Sequence, residues 1–321
     1  MRKFLSWFTF ILLVVVIVLA IARCTAAPQA ATPGKTDRPV TYVRLFPDNL
    51  PADALARLTD NCGPLGMPQP LEPEPTVRHM PEDSAPLASR GTSLVCRDGY
   101  ALLHSDTAKV PLWVCEHVKP ANLNGSVKRS DKFEPDPQLP VGKRAELVDY
   151  RGSGYDRGHM APAGNQTTDA VRKAETFYLS NMVPQDPQLN QKAWAKLEDL
   201  TRSWASAAGG AWIITGPMYW DEAEENPATA DGIVPHRTIG PNRVAVPSHT
   251  YKIVLLNGAS AGLWRVVAFV MPNEGDYPPP YDFTKYIRPV SSIEQRTGLN
   301  FFPGFSETER QKYESRPGVM P

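Results

Sequence analysis

Cysteine is scarce in this sequence, with four among 321 residues, at positions 24, 62, 96 and 115. No two of them have the Cys-x-x-Cys spacing, and none lies in a cysteine–histidine cluster of the kind that holds zinc. The sequence therefore gives no indication of a structural zinc site. Internal repeats are absent as well.

The formal net charge is zero, because 34 Lys and Arg residues balance 34 Asp and Glu residues. Without Arg2, Lys3 and Arg23 of the first 26 residues, 31 basic side chains face 34 acidic ones, a net charge of −3. A protein that coats DNA needs a broad basic surface. The composition argues against a protein that coats DNA. It is compatible with an enzyme that binds a few phosphates within one site.

The N-terminus contains the longest apolar run. Arg2 and Lys3 precede it, residues 4–22 form it, and Arg23 ends it. Its nineteen residues are long for the core of a signal peptide and just long enough to span a bilayer. A cleaved signal peptide and an uncleaved membrane anchor both fit, and a lipidated Cys24 is a third option that Arg23 disfavours. Each option predicts a periplasmic or secreted protein, anchored to the inner membrane if the segment is retained.

Export in turn predicts a disulfide. An oxidising compartment favours one bond among Cys62, Cys96 and Cys115 and leaves one thiol over. We expect the pair Cys62–Cys96, because both lie in loop-like sequence whereas Cys115 lies in an apolar strand.

Four segments are expected along the chain. Residues 1–26 are the signal peptide or anchor, and residues 27–85 form a proline-rich tether and an irregular extension with little periodicity. Residues 86–310 form the folded domain, and residues 311–321 form a C-terminal tail.

Periodicity predicts an α+β domain with a mainly antiparallel sheet. Short apolar runs predict strands at 100–104, 112–118, 211–215, 244–246, 251–256 and 263–271, of which the last two form a hairpin. The strongest helical pattern spans residues 189–208 and ends at Gly209. Residues 135–154 are expected to form a loop.

The segment Asp156-Arg157-Gly158-His159 brings chemically active side chains together. A histidine with a pKa near ~6.5 accepts a proton from water at neutral pH. The forked donors of Arg157 can neutralise a phosphate oxygen. On composition alone, the segment is better explained as a turn that an Asp–Arg pair stabilises, with a surface histidine.

A second polar group follows downstream. Asn181 comes after an apolar run, Asn190 stands at the start of the predicted helix, and Glu198 lies eight residues further on. Positions 190 and 198 differ by about 80° around an α-helix and lie roughly 12 Å apart along it. They share one side of the helix but are too far apart to chelate one ion directly. Taken singly, Asn190 also fits an N-cap and Glu198 a solvated helix face.

Together these segments resemble the DNA/RNA non-specific endonuclease family, which has the ββα-metal fold. The resemblance is carried by the Asp-Arg-Gly-His motif at 156–159, by Met-Ala-Pro after it, and by the spacing to Asn181, Asn190 and Glu198. Further agreement comes from Thr215-Gly216-Pro217 and from 293–302, so that the match covers roughly residues 93–305.

The resemblance implies a role for each of these residues. His159 acts as general base towards water, Asn190 binds a single Mg²⁺ (Mn²⁺ being the alternative), and Glu198 orients metal-bound water. Asn181 supports the site and Arg157 helps to bind phosphate. The implied products carry 5′-phosphate ends.

Two positions depart from the family pattern. Some members have an arginine after the Trp-Val pair that contacts the phosphate, and here His117 is the candidate for that contact. A structural histidine near the edge of the sheet is the alternative interpretation of His117. An acid that many members have after the motif is replaced by Asn165.

The leading hypothesis is therefore a metal-dependent endonuclease that acts on DNA and RNA without sequence specificity. Its partners would be the nucleic acid, the membrane if the leader is retained, and an inhibitor protein. Two other classes remain: a non-catalytic polyanion-binding domain, and a metal-dependent phosphodiesterase for small or lipid substrates.

Overall fold

The computed structural model describes residues 50–71, 91–220, 234–258 and 263–321. The predicted leader and the tether up to residue 49 lie outside these ranges. Within them, no helix combines the length and the apolar character that crossing a bilayer requires.

Helices and strands alternate irregularly along the described chain. In order, the helices are α1 (Ala52–Cys62), α2 (Leu147–Tyr150), α3 (Ala170–Glu175), α4 (Ala195–Ala208), α5 (Val290–Thr297) and α6 (Glu307–Glu314). A π-helical turn, Leu189–Trp194, runs directly into α4. The strands are β1 (Gln69–Pro70), β2 (Thr92–Cys96), β3 (Ala101–Ser105), β4 (Pro111–Val118), β5 (Asp156–His159), β6 (Met182–Gln185), β7 (Ala211–Met218), β8 (Arg237–Ile239), β9 (Val244–Val246), β10 (His249–Asn257), β11 (Trp264–Pro272) and β12 (Leu299–Asn300).

A six-stranded sheet in the order β11-β10-β7-β4-β3-β2 forms the centre, and all of its neighbouring strands are antiparallel. Successive side chains of a strand point to opposite faces of a sheet. Accordingly, Ile214 of β7 packs in the core layer that contains α1 and α5, whereas Ile213 packs in the layer that contains α4. The sheet is therefore covered by helices on both faces.

The smaller ribbons are two-stranded and antiparallel. Strands β5 and β6 pair with His159 opposite Met182, and the chain then continues from β6 towards the π turn and α4. The β5–β6 ribbon lies on the same side of the sheet as α4. There Leu179, Met182 and Val183 belong to a third buried cluster. Strands β8 and β9 pair in the same region.

The sequence predictions of fold class are confirmed, because helices are combined with a largely antiparallel sheet. The six predicted strands are present within a few residues of their expected bounds, and β10 and β11 form the expected hairpin. The expectation of an irregular extension up to residue 85 is wrong for residues 52–62, and residues 72–85 lie outside the described ranges. There α1 is amphipathic, and Leu58 and Cys62 enter the core.

Two further expectations are corrected. The predicted loop 135–154 contains the helical turn α2, whose capping box between Glu146 and Asp149 satisfies its first backbone donors. The C-terminal tail includes part of α6, and the Tyr313 hydroxyl accepts a hydrogen bond from the Trp264 backbone at 3.2 Å.

The predicted disulfide is not formed. Cys62, Cys96 and Cys115 are all free, with Cys62 and Cys115 buried in the layer under α1. Burial raises the pKa of the Cys96 thiol to about 11, so that this thiol stays protonated at neutral pH.

Glu294 of α5 gives a stability prediction. Its side chain is buried, its Oε1 accepts a hydrogen bond from the Phe301 backbone at 2.9 Å, and burial raises its pKa to about 7. A carboxyl with a raised folded-state pKa contributes stability below its unfolded pKa, and that contribution is lost as the pH rises through 7. Glu294→Gln keeps the acceptor but cannot ionise. We therefore expect its advantage over the wild type to grow by on the order of 1–3 kcal/mol between pH 5 and pH 8.

Urea unfolding of both proteins at the two pH values measures this difference. Glu294→Ala is the control, because it removes the acceptor and should destabilise at both pH values. Parallel pH dependences for the wild type and Glu294→Gln would contradict the assignment.

Candidate active site

A cavity of about 890 Å³ lies where the β5–β6 ribbon meets the π turn and α4. The polar residues that line it converge from loops, a strand and helices: Arg129, Tyr150, Arg151, Tyr155, Asp156, Arg157, His159, Asn190, Gln191, Glu198, Asp199 and Arg202. Of the residues predicted from the sequence, His159, Arg157, Asn190 and Glu198 are thus brought together, whereas Asn181 and His117 do not line the cavity.

Gly158 permits the close approach of β5 to β6. A Cβ atom at this position would lie 2.2 Å from Oε1 and 2.6 Å from Cβ of Gln185, a residue with no exposed surface. Any side chain here would push the strands apart, because Gln185 is enclosed and has no room to move. The glycine therefore fixes the depth at which the next residue, His159, enters the cavity.

His159 is the last residue of β5 and is 9% exposed. Its ring packs edge-on against Phe177 at 5.0 Å and is tilted against Phe133 at 5.7 Å. The Nε2 atom is buried without a hydrogen-bond partner, which leaves Nδ1 as the nitrogen that can meet a bound molecule. The aromatic pair, rather than a carboxylate, thus orients this imidazole.

The charge state of His159 follows from its surroundings. Burial lowers its pKa to about 3, and the nearby cations Arg129 and Arg157 lower it further while Asp131 opposes them. The imidazole is therefore neutral at neutral pH, and its lone pair is available to accept a proton.

Asn190 is held by Asp156 of the motif. Asp156 Oδ2 accepts hydrogen bonds from Asn190 Nδ2 at 2.9 Å and from Gln191 Nε2 at 2.8 Å. Because the amide nitrogen is engaged, the amide oxygen points away from Asp156 with its lone pairs available. The first residue of the motif thus positions the residue that the sequence suggests as a metal ligand.

The π turn corrects the predicted helix geometry. Asn190 lies in a π-helical segment and Glu198 in the following α-helix, so the angle expected from a continuous α-helix does not hold. Both side chains nevertheless line the same cavity. Burial raises the pKa of Glu198 to about 7, against the opposing effect of Lys252 and Arg202.

These residues fit a hydrated divalent cation. The free amide oxygen of Asn190 is a hard oxygen ligand of the kind that Mg²⁺ prefers. The Glu198 carboxyl group lines the same cavity and makes no side-chain hydrogen bond in the described structure, so that it can accept a hydrogen bond from a water bound to the cation. Among the described residues, no group of three or more His, Cys, Asp or Glu could hold a metal ion. A cation here would therefore keep several water ligands.

Four arginines border the cavity, Arg129, Arg151, Arg157 and Arg202, and the sequence analysis found only Arg157. The Arg157 guanidinium lies 4.2 Å from the centre of the Phe133 ring, and that of Arg129 lies 5.2 Å from the centre of the Phe177 ring. Arg202 follows Glu198 by four residues on α4, a spacing that places both on one helix face and was visible in the sequence. Arg129 lies in a loop, where no periodicity marks it.

A buried polar chain supports Arg202. Glu116 Oε2 accepts a hydrogen bond from Asn165 Nδ2 at 2.9 Å, and Asn165 Oδ1 accepts one from Arg202 at 3.2 Å. Asn165, which departs from the family pattern, thus links a buried carboxylate to a cation in the cavity. Burial raises the pKa of Glu116 to about 7 despite the opposing charge of Lys252.

The structure places His117 on the other face of the sheet, away from the cavity. Its Nδ1 lies 3.1 Å from Asp60, and its ring stacks on Trp212 at 4.3 Å. The expected phosphate contact is corrected by strand alternation, since the preceding residue, Glu116, is the one that points to the α4 side. Arg129 occupies the cavity instead.

Asn181 has no exposed surface and stabilises the loop after His159. Its Oδ1 accepts from the Ala161 backbone at 2.9 Å, and its Nδ2 donates to the carbonyls of Ala161 and Thr176, both at 2.9 Å. Its contribution to the site is therefore through the backbone.

Comparisons with known proteins agree with this arrangement. A family model described as DNA/RNA non-specific endonuclease matches residues 84–308. The mitochondrial nuclease EXOG of Homo sapiens is 38% identical over 223 residues, which cover 68% of this chain and 59% of that protein. The mitochondrial endonuclease G of Homo sapiens is 37% identical over 215 residues, covering 65% of this chain and 69% of that protein.

A similar fold is found in a chain of the crystal structure of the EndoG/EndoGI complex, with a TM-score of 0.61 and 35% identity. The match covers 66% of this chain and 86% of that one. The relatives named here are mitochondrial nucleases, and this finding overturns the expected periplasmic or secreted location. The segment on which that expectation rested lies outside the described residues.

Replacement of Asn181 tests its supporting role. Asn181→Ala leaves a buried backbone N–H and two carbonyls without their partner, and we expect a loss of about 2–4 kcal/mol in the free energy of unfolding. Urea denaturation measures it. Asn257→Ala is the matched control, because Asn257 is exposed and makes one long hydrogen bond of 3.5 Å. A loss for Asn181→Ala no larger than that for Asn257→Ala would show that the three hydrogen bonds carry little stability.

Proposed function

Because the chain belongs to the DNA/RNA non-specific endonuclease family, we propose that it hydrolyses phosphodiester bonds of DNA and RNA in the cavity around His159. The family is one of metal-dependent nucleases. The observation that carries the proposal is the meeting of a neutral imidazole, an amide oxygen, a carboxyl group and four arginines in one cavity. The chain spans only 59% of the length of human EXOG, so activity on the relatives' full range of substrates is part of the proposal.

In the proposed reaction, His159 accepts a proton from the attacking water. Its enclosure by Phe133 and Phe177 keeps the imidazole neutral, which is the form that a general base requires. A phosphate bound beside it brings negative charge, which strengthens the imidazole as a base at the moment of transfer.

The arginines bind the phosphate. Arg157 and Arg129 are each placed by an aromatic ring, and Arg202 is placed by Asp199 and Asn165. Forked donors with fixed orientation suit the oxygens of a phosphodiester, and they attract charge that grows in the transition state.

Asn190 would hold the divalent cation, which we propose to be Mg²⁺, and Glu198 would orient a water molecule bound to it. When bound, the cation supplies positive charge beside the phosphate and the leaving oxygen. Asp156 contributes by holding the Asn190 amide with its oxygen directed into the cavity. We propose products with 5′-phosphate ends and no reading of base sequence, because phosphate contacts carry no sequence information.

For the domain organisation we propose a catalytic domain of residues 86–310, on which residues 50–71 pack. The match over 84–308 supports these bounds, and α1 and the β1–β12 pair support the added segment. We also propose regulation by an inhibitor protein, which the structural similarity to the EndoG/EndoGI complex supports.

Plasmid nicking distinguishes this function from the alternatives. Nicking in Mg²⁺ that stops with a chelator is expected. Phosphate-ester turnover without nicking would favour a phosphodiesterase for small or lipid substrates, and binding without either reaction would favour a non-catalytic domain.

Removal of the base gives the first functional prediction. His159→Ala should lower kcat for plasmid cleavage by at least about 10²–10⁴-fold, since it removes the proton acceptor. Affinity for DNA in the presence of a chelator should stay within roughly threefold. His117→Ala is the control, because this histidine lies on the opposite face of the sheet and should leave the rate unchanged. Undiminished cleavage by His159→Ala would refute the assignment.

Removal of the Asn190 amide gives the second functional prediction. Asn190→Ala should raise the Mg²⁺ concentration for half-maximal activity by roughly 10–100-fold. Lys192→Ala is the control from the same turn, because Lys192 is exposed and does not line the cavity. Identical Mg²⁺ titrations for Asn190→Ala and the wild type would exclude Asn190 as a ligand.

A further inference from the structure

A second cavity of about 500 Å³ lies next to the candidate active site. The two cavities share one wall, the side chain of Tyr155, which directly precedes the Asp-Arg-Gly-His motif. None of the residues to which a catalytic role is given above lines this second cavity.

Aromatic rings form much of its wall. Trp220, His236 and His249 line it together with Tyr155. The Trp220 ring meets the His249 ring edge-on, with 5.2 Å between their centres. The Arg296 guanidinium lies 4.4 Å from the centre of the Trp220 ring. This volume and these rings suit a flat heterocycle of the size of a nucleobase.

Hydrogen bonds fix the polar edge of the cavity. Ser248 Oγ donates to the Met218 carbonyl at 3.1 Å and accepts from the Trp220 backbone at 2.7 Å. His249 Nδ1 lies 3.0 Å from the same oxygen. Because the hydroxyl hydrogen is already used, Nδ1 carries the proton and Nε2 is left as an acceptor.

The cavity also offers a donor. Arg237 is exposed at the rim, and the exposed carboxylate of Glu274 lies on the same rim. A phosphate would therefore bind on the Arg237 side, since Glu274 would repel it.

One residue ties this cavity rigidly to the active site. Asn273 lines it, and its Nδ2 donates to the carbonyls of Pro184 and Pro247, both at 2.9 Å. Its Oδ1 accepts from the Asp186 backbone at 2.9 Å, and the Asp186 carbonyl accepts from the Asn190 backbone at 2.8 Å. The distance between the two cavities is thus fixed by the same backbone that carries Asn190.

We propose that this second cavity binds an unpaired nucleobase of the substrate strand, adjacent to the phosphate that is cleaved, with Arg237 contacting the next phosphate. The proposal rests on the function proposed above and names its preferred substrate, a single-stranded or locally unpaired nucleic acid. In a duplex both faces of each base are covered by neighbouring pairs, so a base reaches an aromatic wall only after leaving the stack.

The test compares cleavage of a labelled single-stranded oligonucleotide with that of the same sequence as a duplex. A second series of oligonucleotides locates the bound base. Each contains a single phosphodiester in an otherwise uncleavable backbone, and each has one abasic position at a different place on either side of that phosphodiester. For the wild type, one abasic position should raise KM by roughly tenfold, and the single strand should be preferred. Trp220→Ala and Arg237→Ala should raise KM for the intact single strand by a similar factor with little change in kcat.

Three controls separate the outcomes. Arg265→Ala removes another exposed arginine, from β11, and should change nothing. His236→Ala repeats the test without removing the ring that Arg296 covers, should Trp220→Ala fail to fold. Thymidine 5′-(p-nitrophenyl phosphate), which has no neighbouring nucleotide, should be hydrolysed equally by all variants.

Cleavage by the wild type with equal KM for every abasic position, or variants with unchanged KM, would overturn the nucleobase site alone. Absence of any cleavage by the wild type would overturn the proposed function itself. Glu274→Gln should lower KM for the single strand, and a rise would contradict the placement of phosphate on this rim.

Discussion

The close pairing of β5 with β6 is the constraint on which the candidate active site depends. Gly158 faces the enclosed Gln185 with no room for a Cβ atom, and the register that results sets His159 opposite Met182. From β6 the chain turns at Asp186 into the π segment that carries Asn190. One tight contact between two strands therefore determines how far the imidazole stands from the amide, although neither residue takes part in that contact.

Beneath the cavity, opposite charges are buried together in the space between the sheet and α4. Lys252 has 1% of its surface exposed, donates to Thr215 Oγ1 at 2.9 Å and lies 5.0 Å from the centre of the Trp194 ring. Its charge partly offsets the cost of burying Glu116 and Glu198. The chain has no net charge, yet it concentrates cations and carboxylates at one place. The overall composition does not reveal this local concentration.

Much of the fold could be predicted because apolar runs and helical spacing are local signals, as the strands β7, β9 and β10 illustrate. The site could be predicted where side chains lie close in sequence, as in the motif that contains His159. It could not be predicted where tertiary contacts decide. The sequence alone does not tell which of the neighbours Glu116 and His117 faces the cavity, and strand pairing assigns Glu116 to the α4 side. Arg129 could not be predicted because it lies in a loop, where no periodic pattern marks it. Helix α1 was missed because prolines around it obscured its apolar face.

The pairing of β1 with β12 determines how much of the chain the folded domain needs. Strand β1 pairs with β12, and α1 covers the sheet face that contains Cys115 and Trp113. Gly63 follows α1 at a point where even a methyl group would overlap the Trp212 indole. Proteolytic trimming from the N-terminus can therefore proceed no further than about Leu50 without uncovering this face. The family match begins at residue 84, so a fragment with those bounds would lack the segment that covers this face.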